Sequence, residues 1–96
     1  MNRIGQNDFL EFIKTREGEI LRTLTRAMPF TVKVTNEGVE YTPQSTMKVR
    51  QHPKKYMNLV LEKFSKTGSY KTVDYQQITA CSSYTLTLIA EYLKQR

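Results

Sequence analysis

The sequence predicts an α+β fold in one small domain: an N-terminal helix, an antiparallel β-hairpin or three-stranded sheet, then two to three C-terminal helices. Three observations predict it. Apolar residues recur at helical spacing from Phe9 onward, FTVKVT at positions 30–35 alternates with a period of two, and helical stripes return after Pro53 and again after Ser82. A length of 96 residues suits a single core, and no repeat, low-complexity run or linker divides positions 1–96.

The first helix is expected over residues 8–28, where Phe9, Ile13, Ile20, Leu24 and Ala27 form a stripe that Leu10, Phe12 and Leu21 widen. Asp8 with Glu11 has the form of a capping box, and Pro29 stops the helix. Its weak point is Thr15 to Glu19, a polar run containing Gly18, where a kink or break would fall. In the next segment Phe30, Val32 and Val34 alternate with Thr31, Lys33 and Thr35, as in a half-buried strand. Asn36, Glu37 and Gly38 make the turn, Val39 and Tyr41 supply the return strand, and Pro43 ends the pairing. Between Gln44 and His52, Met47 and Val49 alternate with Lys48 and Arg50; a third strand there would place both bases on its solvent face.

Pro53 suits a first helical position, and Tyr56, Leu59, Val60 and Phe64 then form a stripe up to Gly68, which fits a C-terminal cap. Thr72 and Asp74 open a short helical segment holding Tyr75 and Ile78. Ser82 or Ser83 caps a last helix whose Leu86, Ile89 and Leu93 face inward.

The chain carries 15 Lys and Arg against 9 Asp and Glu, a net charge of +6. The excess is concentrated centrally: no acid lies between Tyr41 and Leu61, while Lys48, Arg50, Lys54 and Lys55 flank His52. Such a stretch attracts a polyanion through phosphate neutralisation, although it would equally serve as a solvated face. Six tyrosines lie among the bases, and Tyr70, in the loop KTGSYKT beside Lys71, has the exposure and flanking charge that stacking on an unpaired base requires; otherwise it would fold back over the core.

The C-terminal half, from Lys54 to Gln95, is similar to helix-turn-helix DNA-binding domains: three helical segments joined by a glycine turn and a Cys-Ser-Ser turn. The resemblance implies that residues 73–80 form the supporting helix. Ser82, Ser83, Tyr84, Thr85 and Thr87 would then open a recognition helix toward a major groove. A helical hairpin packed on a sheet has the same spacing.

Enzymatic readings lack their parts. Neither GxGxxG nor GxxxxGK[ST] is present, Glu37 and Glu40 have no third acid nearby to hold magnesium, and nothing orients His52 as a base toward Cys81. The same two residues provide at most two ligands of a zinc site. Every uninterrupted apolar run is far shorter than the roughly 20 residues that span a bilayer, and the N-terminus has no signal-like apolar core.

The expectation is thus a soluble, cytoplasmic, non-enzymatic nucleic-acid-binding protein without cofactor, metal or membrane partner. Its polymer is expected to be duplex DNA, with Lys48, Arg50, Lys54, Lys55 and Lys71 as backbone contacts and Tyr70, Ser83 and Thr87 as specificity contacts. The alternative is a protein-interaction or oligomerisation module, with a homodimer formed through Phe9, Phe12 and Ile13 of the first helix.

Overall fold

The computed structural model describes residues 4–95. Helix α1 (Gln6–Lys14) buries Phe9, Leu10, Phe12 and Ile13. It is capped by the backbone of Gly5, so Asp8 lies in the first turn, where the helix dipole favours it, and no capping box forms with Glu11.

The helix expected over residues 8–28 therefore ends at Lys14. The Thr15 hydroxyl folds back onto the Phe12 carbonyl at 2.6 Å, and Gly18 takes φ 86°, which only glycine adopts freely. Glu17 Oε2 then accepts the Val34 N–H at 2.7 Å, and this ties the reversing chain to the sheet. Leu21 and Arg22 form a two-residue strand, β1, instead of a helical turn. Ile20 and Leu24, whose spacing suggested a buried stripe, are 63% and 50% exposed.

Strands β2 (Pro29–Val34), β3 (Gly38–Pro43) and β4 (Arg50–Pro53) complete a four-stranded antiparallel sheet in the order β1-β2-β3-β4. Leu21 pairs with Phe30, Val32 with Tyr41, and Val39 with His52, so these residues share the inner face. Lys33, Glu40 and Gln51 lie on the outer face, where Gln51 donates to Glu40 at 2.8 Å. Gly38 serves close approach: a Cβ there would lie 2.2 Å from the His52 carbonyl oxygen. The strand expected between Gln44 and His52 forms only from Arg50 onward. Residues 44–46 turn, Met47 takes φ 56°, and Lys48 stands in an exposed loop rather than on a strand face shared with Arg50.

Helix α2 (Lys54–Thr67) ends at Gly68 in the left-handed conformation, with its N–H on the Phe64 carbonyl. Its buried residues are Met57, Val60, Leu61 and Phe64, spaced three, one and three. Tyr56 and Leu59, expected in that stripe, are exposed, because the face is centred about one position further on. Pro53 is the cap and last strand residue rather than the first helical one.

A single 3-10 turn (Thr72–Tyr75) leads to α3 (Ser82–Lys94). The N-cap of α3 is Cys81, and neither serine side chain caps it. The long, uniform burial of α3 explains its composition: it packs against α1 and α2, with Tyr92 edge-on to Phe9 and Phe12, and Tyr84 against Phe30 and Tyr41. Aromatic pairs of this kind contribute about 0.5–1.5 kcal/mol each beyond their burial.

Two expectations are corrected by this packing. The supporting helix at residues 73–80 is one 3-10 turn followed by ordinary turns, and α3 lies within the core with Ser82, Thr85 and Thr87 buried, so no helix-turn-helix is formed. Phe9, Phe12 and Ile13 are buried inside the chain and do not form the exposed surface expected of them. No helix among the described residues is long and apolar enough to cross a membrane.

Candidate functional site

The four reversals at one end of the sheet enclose a cleft of about 690 Å³. One wall is the turn between β1 and β2, where Thr23 exchanges backbone bonds with Met28 and Ala27, and its hydroxyl accepts the Met28 N–H at 3.0 Å. The opposite wall comes from Ser45 and Thr46 after β3, and the floor from Thr79, Ala80, Ser82, Ser83 and Tyr84 around the start of α3. Tyr70 and Thr72 close the remaining side.

The chemistry of the lining is uniform in sign. Arg26 and Arg50 are its ionised groups, eight serine and threonine residues supply hydroxyls, and no carboxylate lines it. Neither arginine has an acidic partner among the described residues, whose ion pairs are Lys14 with Glu11 and Arg16 with Glu19. Leu24 and Met28 give one wall an exposed apolar surface. An unpaired guanidinium in a concave, acid-free setting is a donor fork without an acceptor, which suits a phosphate or carboxylate ligand.

Arg50 reaches the floor because of its register. It pairs with Tyr41, whose buried ring lies under α3, and residues directly opposed in an antiparallel ladder share a face. The segment that carries the floor is pinned by Thr79. Its Oγ1 accepts the Cys81 N–H at 3.0 Å and lies 3.3 Å from His52 Nδ1 on β4. His52 is 1% exposed, and its Nε2 has no partner among the described residues. Burial lowers its pKa to about 4, so the ring is neutral at pH 7. Burial likewise pushes the Cys81 thiol above its ordinary value, although the Thr79 hydroxyl and the Arg50 charge pull it the other way. A protonated, buried thiol and a neutral imidazole do not make an activated nucleophile pair.

No family model, curated protein or solved structure matches the chain. Function therefore has to be read from the cleft.

Of the eight residues singled out from sequence, the structure brings Arg50, Tyr70 and Ser83 into the cleft. Lys48 and Lys71 are exposed and stand between or beside lining residues, Lys48 in the loop from Thr46 to Arg50 and Lys71 between Tyr70 and Thr72. Lys54 and Lys55 lie elsewhere. The Lys54 N–H bonds to the Glu37 carbonyl at the β2–β3 turn, at the far end of β4 from Arg50, about 10 Å along the strand. Thr87 is 3% exposed and its hydroxyl bonds to the Ser83 carbonyl, so it presents nothing to a ligand. Tyr70 is exposed along one edge while its ring packs on Phe64 at 5.1 Å, which combines both expectations for it.

Sequence reasoning missed Arg26, Thr25, Ser45, Thr46 and Thr79. Arg26 lay inside a segment read as helix, among balanced charges. The overlooked signal is hydroxyl density: Thr23 and Thr25, Ser45 and Thr46, and Ser82 and Ser83 each fall at a chain reversal.

Proposed function

We propose that this is a non-enzymatic nucleic-acid-binding domain whose cleft takes a segment of a single strand. The observation that carries the reading is the pair of unpaired arginines, Arg26 and Arg50, lining a concave, acid-free cleft. Phosphates would bind the two guanidinium groups, with Lys48 and Lys71 extending the positive path at the rim. A base or sugar would lie against Tyr70, Leu24 and Met28, where stacking and apolar contact tolerate any sequence.

A single strand is favoured over a duplex for a geometric reason. Reading a major groove calls for a protruding helix with exposed polar residues, and α3 is packed on most of its surface. A flexible strand can enter a concavity that the rigid phosphate ridge of a duplex only skirts.

The test is fluorescence anisotropy with labelled single-stranded and duplex oligonucleotides of one sequence across about 50 to 200 mM salt. Engagement of about two to four phosphates predicts a slope of log K against log salt of about −1.4 to −2.8 for the single strand, and weaker binding of the duplex. Absence of binding by either polymer at the lowest salt would overturn the reading.

A further inference from the structure

We propose that the floor of this cleft is a seat for a phosphomonoester dianion, so that the strand is held by its terminal phosphate. The inference rests on the reading of the cleft as a single-strand site and adds which part of the strand is recognised.

Three observations meet at the start of α3. The residue before the helix, Cys81, gives no side-chain cap; its carbonyl accepts the Tyr84 N–H at 3.2 Å, and the Ser82 and Ser83 amides of this 13-residue helix are left to a ligand or to water at its positive end. Ser82 is only 4% exposed, it lines the cleft, and its hydroxyl makes no hydrogen bond to any described residue. That hydroxyl is not sealed from solvent, and the space it opens on is the cleft itself. The third group is Arg50, which lines the same floor and whose charge reaches Cys81. Together these give one cleft a hydroxyl, helix-terminal amides and a guanidinium, with no carboxylate to compete.

The number of donors selects the kind of phosphate. An internal phosphodiester offers two unsubstituted oxygens and one negative charge. A terminal phosphate offers three unsubstituted oxygens and close to two negative charges, enough acceptors for all three kinds of donor at once. The same group occurs at a strand end and on a free mononucleotide, and the measurement separates the two.

Anisotropy with single-stranded oligonucleotides of one sequence bearing a 5′-phosphate, a 3′-phosphate or hydroxyls at both ends, with adenosine monophosphate and inorganic phosphate as competitors, tests the seat. One phosphorylated end is expected to bind about tenfold tighter than the hydroxyl-ended strand, as charge-assisted bonds to a second negative charge imply. Ser82→Ala and Arg50→Gln are each expected to reduce that preference toward unity, whereas Lys54→Gln, at the far end of β4, keeps it. Equal binding of phosphorylated and hydroxyl-ended strands would overturn the seat and leave strand binding intact. Binding of adenosine monophosphate with no binding of any strand would support the seat and overturn the nucleic-acid reading. Failure of every probe would overturn both.

Discussion

Arg50 stands opposite Tyr41 in the β3–β4 ladder, and the Tyr41 hydroxyl lies 2.7 Å from Thr85 Oγ1 on α3. One rung of the sheet thus both anchors the first turns of α3 and delivers a guanidinium beside them. The Thr85 hydroxyl, bonded to Tyr41, also donates to the Cys81 carbonyl at 3.4 Å, so the bonds run from sheet to helix to the cap residue of the cleft floor. Burial holds the Tyr41 phenol well above its ordinary pKa, and it remains a neutral donor throughout the usable pH range.

This chain of bonds predicts an asymmetry. Tyr41→Phe leaves Thr85 its bond to Cys81 and is expected to cost about 1 kcal/mol. Thr85→Val strands a fully buried phenol hydroxyl and is expected to cost about 2 kcal/mol. Urea unfolding of the two variants measures the order, and the reverse order would contradict the assignment of Tyr41 as donor.

His52 predicts a pH dependence. Its folded pKa of about 4 lies below the ordinary 6.5, so between these values the unfolded chain binds the extra proton. Stability from this group is complete above about pH 6.5 and declines as pH falls toward 4. From pH 7 to pH 5, above the range where most carboxylates titrate, the expected loss is about 2 kcal/mol, and His52→Gln should flatten it. A wild-type unfolding free energy unchanged over that interval would show that the ring is not held neutral.

Gly38 predicts a steric effect added to a conformational one, since its φ of 156° is one that side-chain-bearing residues rarely adopt. The Cβ of Gly38→Ala would meet the His52 carbonyl of β4 at 2.2 Å and the backbone nitrogen of Lys54, the first residue of α2, at 2.9 Å, backbone atoms that cannot rotate away. The expected cost is about 3 kcal/mol or more, read as a fall in the denaturation midpoint, with β4 and hence Arg50 displaced. Wild-type stability in this variant would contradict the close approach of β3 and β4.

The elements that the sequence makes legible are those whose buried faces are apolar and long. Helix α2 and the β2–β3 hairpin show their periods directly, and Gly68 marks a real end. The apolar spacing overextends the first helix because Ile20, Leu24 and Ala27 continue it by coincidence: Gly18 reverses the chain, and a two-residue strand such as β1 is too short to show alternation. Strand β4 is obscure for a different reason, since its one buried residue is His52, a polar side chain, while the apolar Met47 and Val49 before it are exposed. Of the cleft, Arg50 stands out through its place in an acid-free run. Arg26 does not, because four separate reversals build the site and only the folded sheet end brings Arg26, Thr46, Tyr70 and Ser82 together.

The central claim, that anions bind in the cleft rather than along the basic run as a whole, is tested most directly by comparing two double variants in the single-strand salt series. Arg26→Gln with Arg50→Gln removes the cleft charges; Lys54→Gln with Lys55→Gln removes the same formal charge at the far end of β4. The cleft variant is expected to lower the salt slope by about 1.4 and the affinity with it, while the lysine variant keeps a slope near wild type. Equal losses in both variants, or a larger loss in the lysine variant, would contradict it.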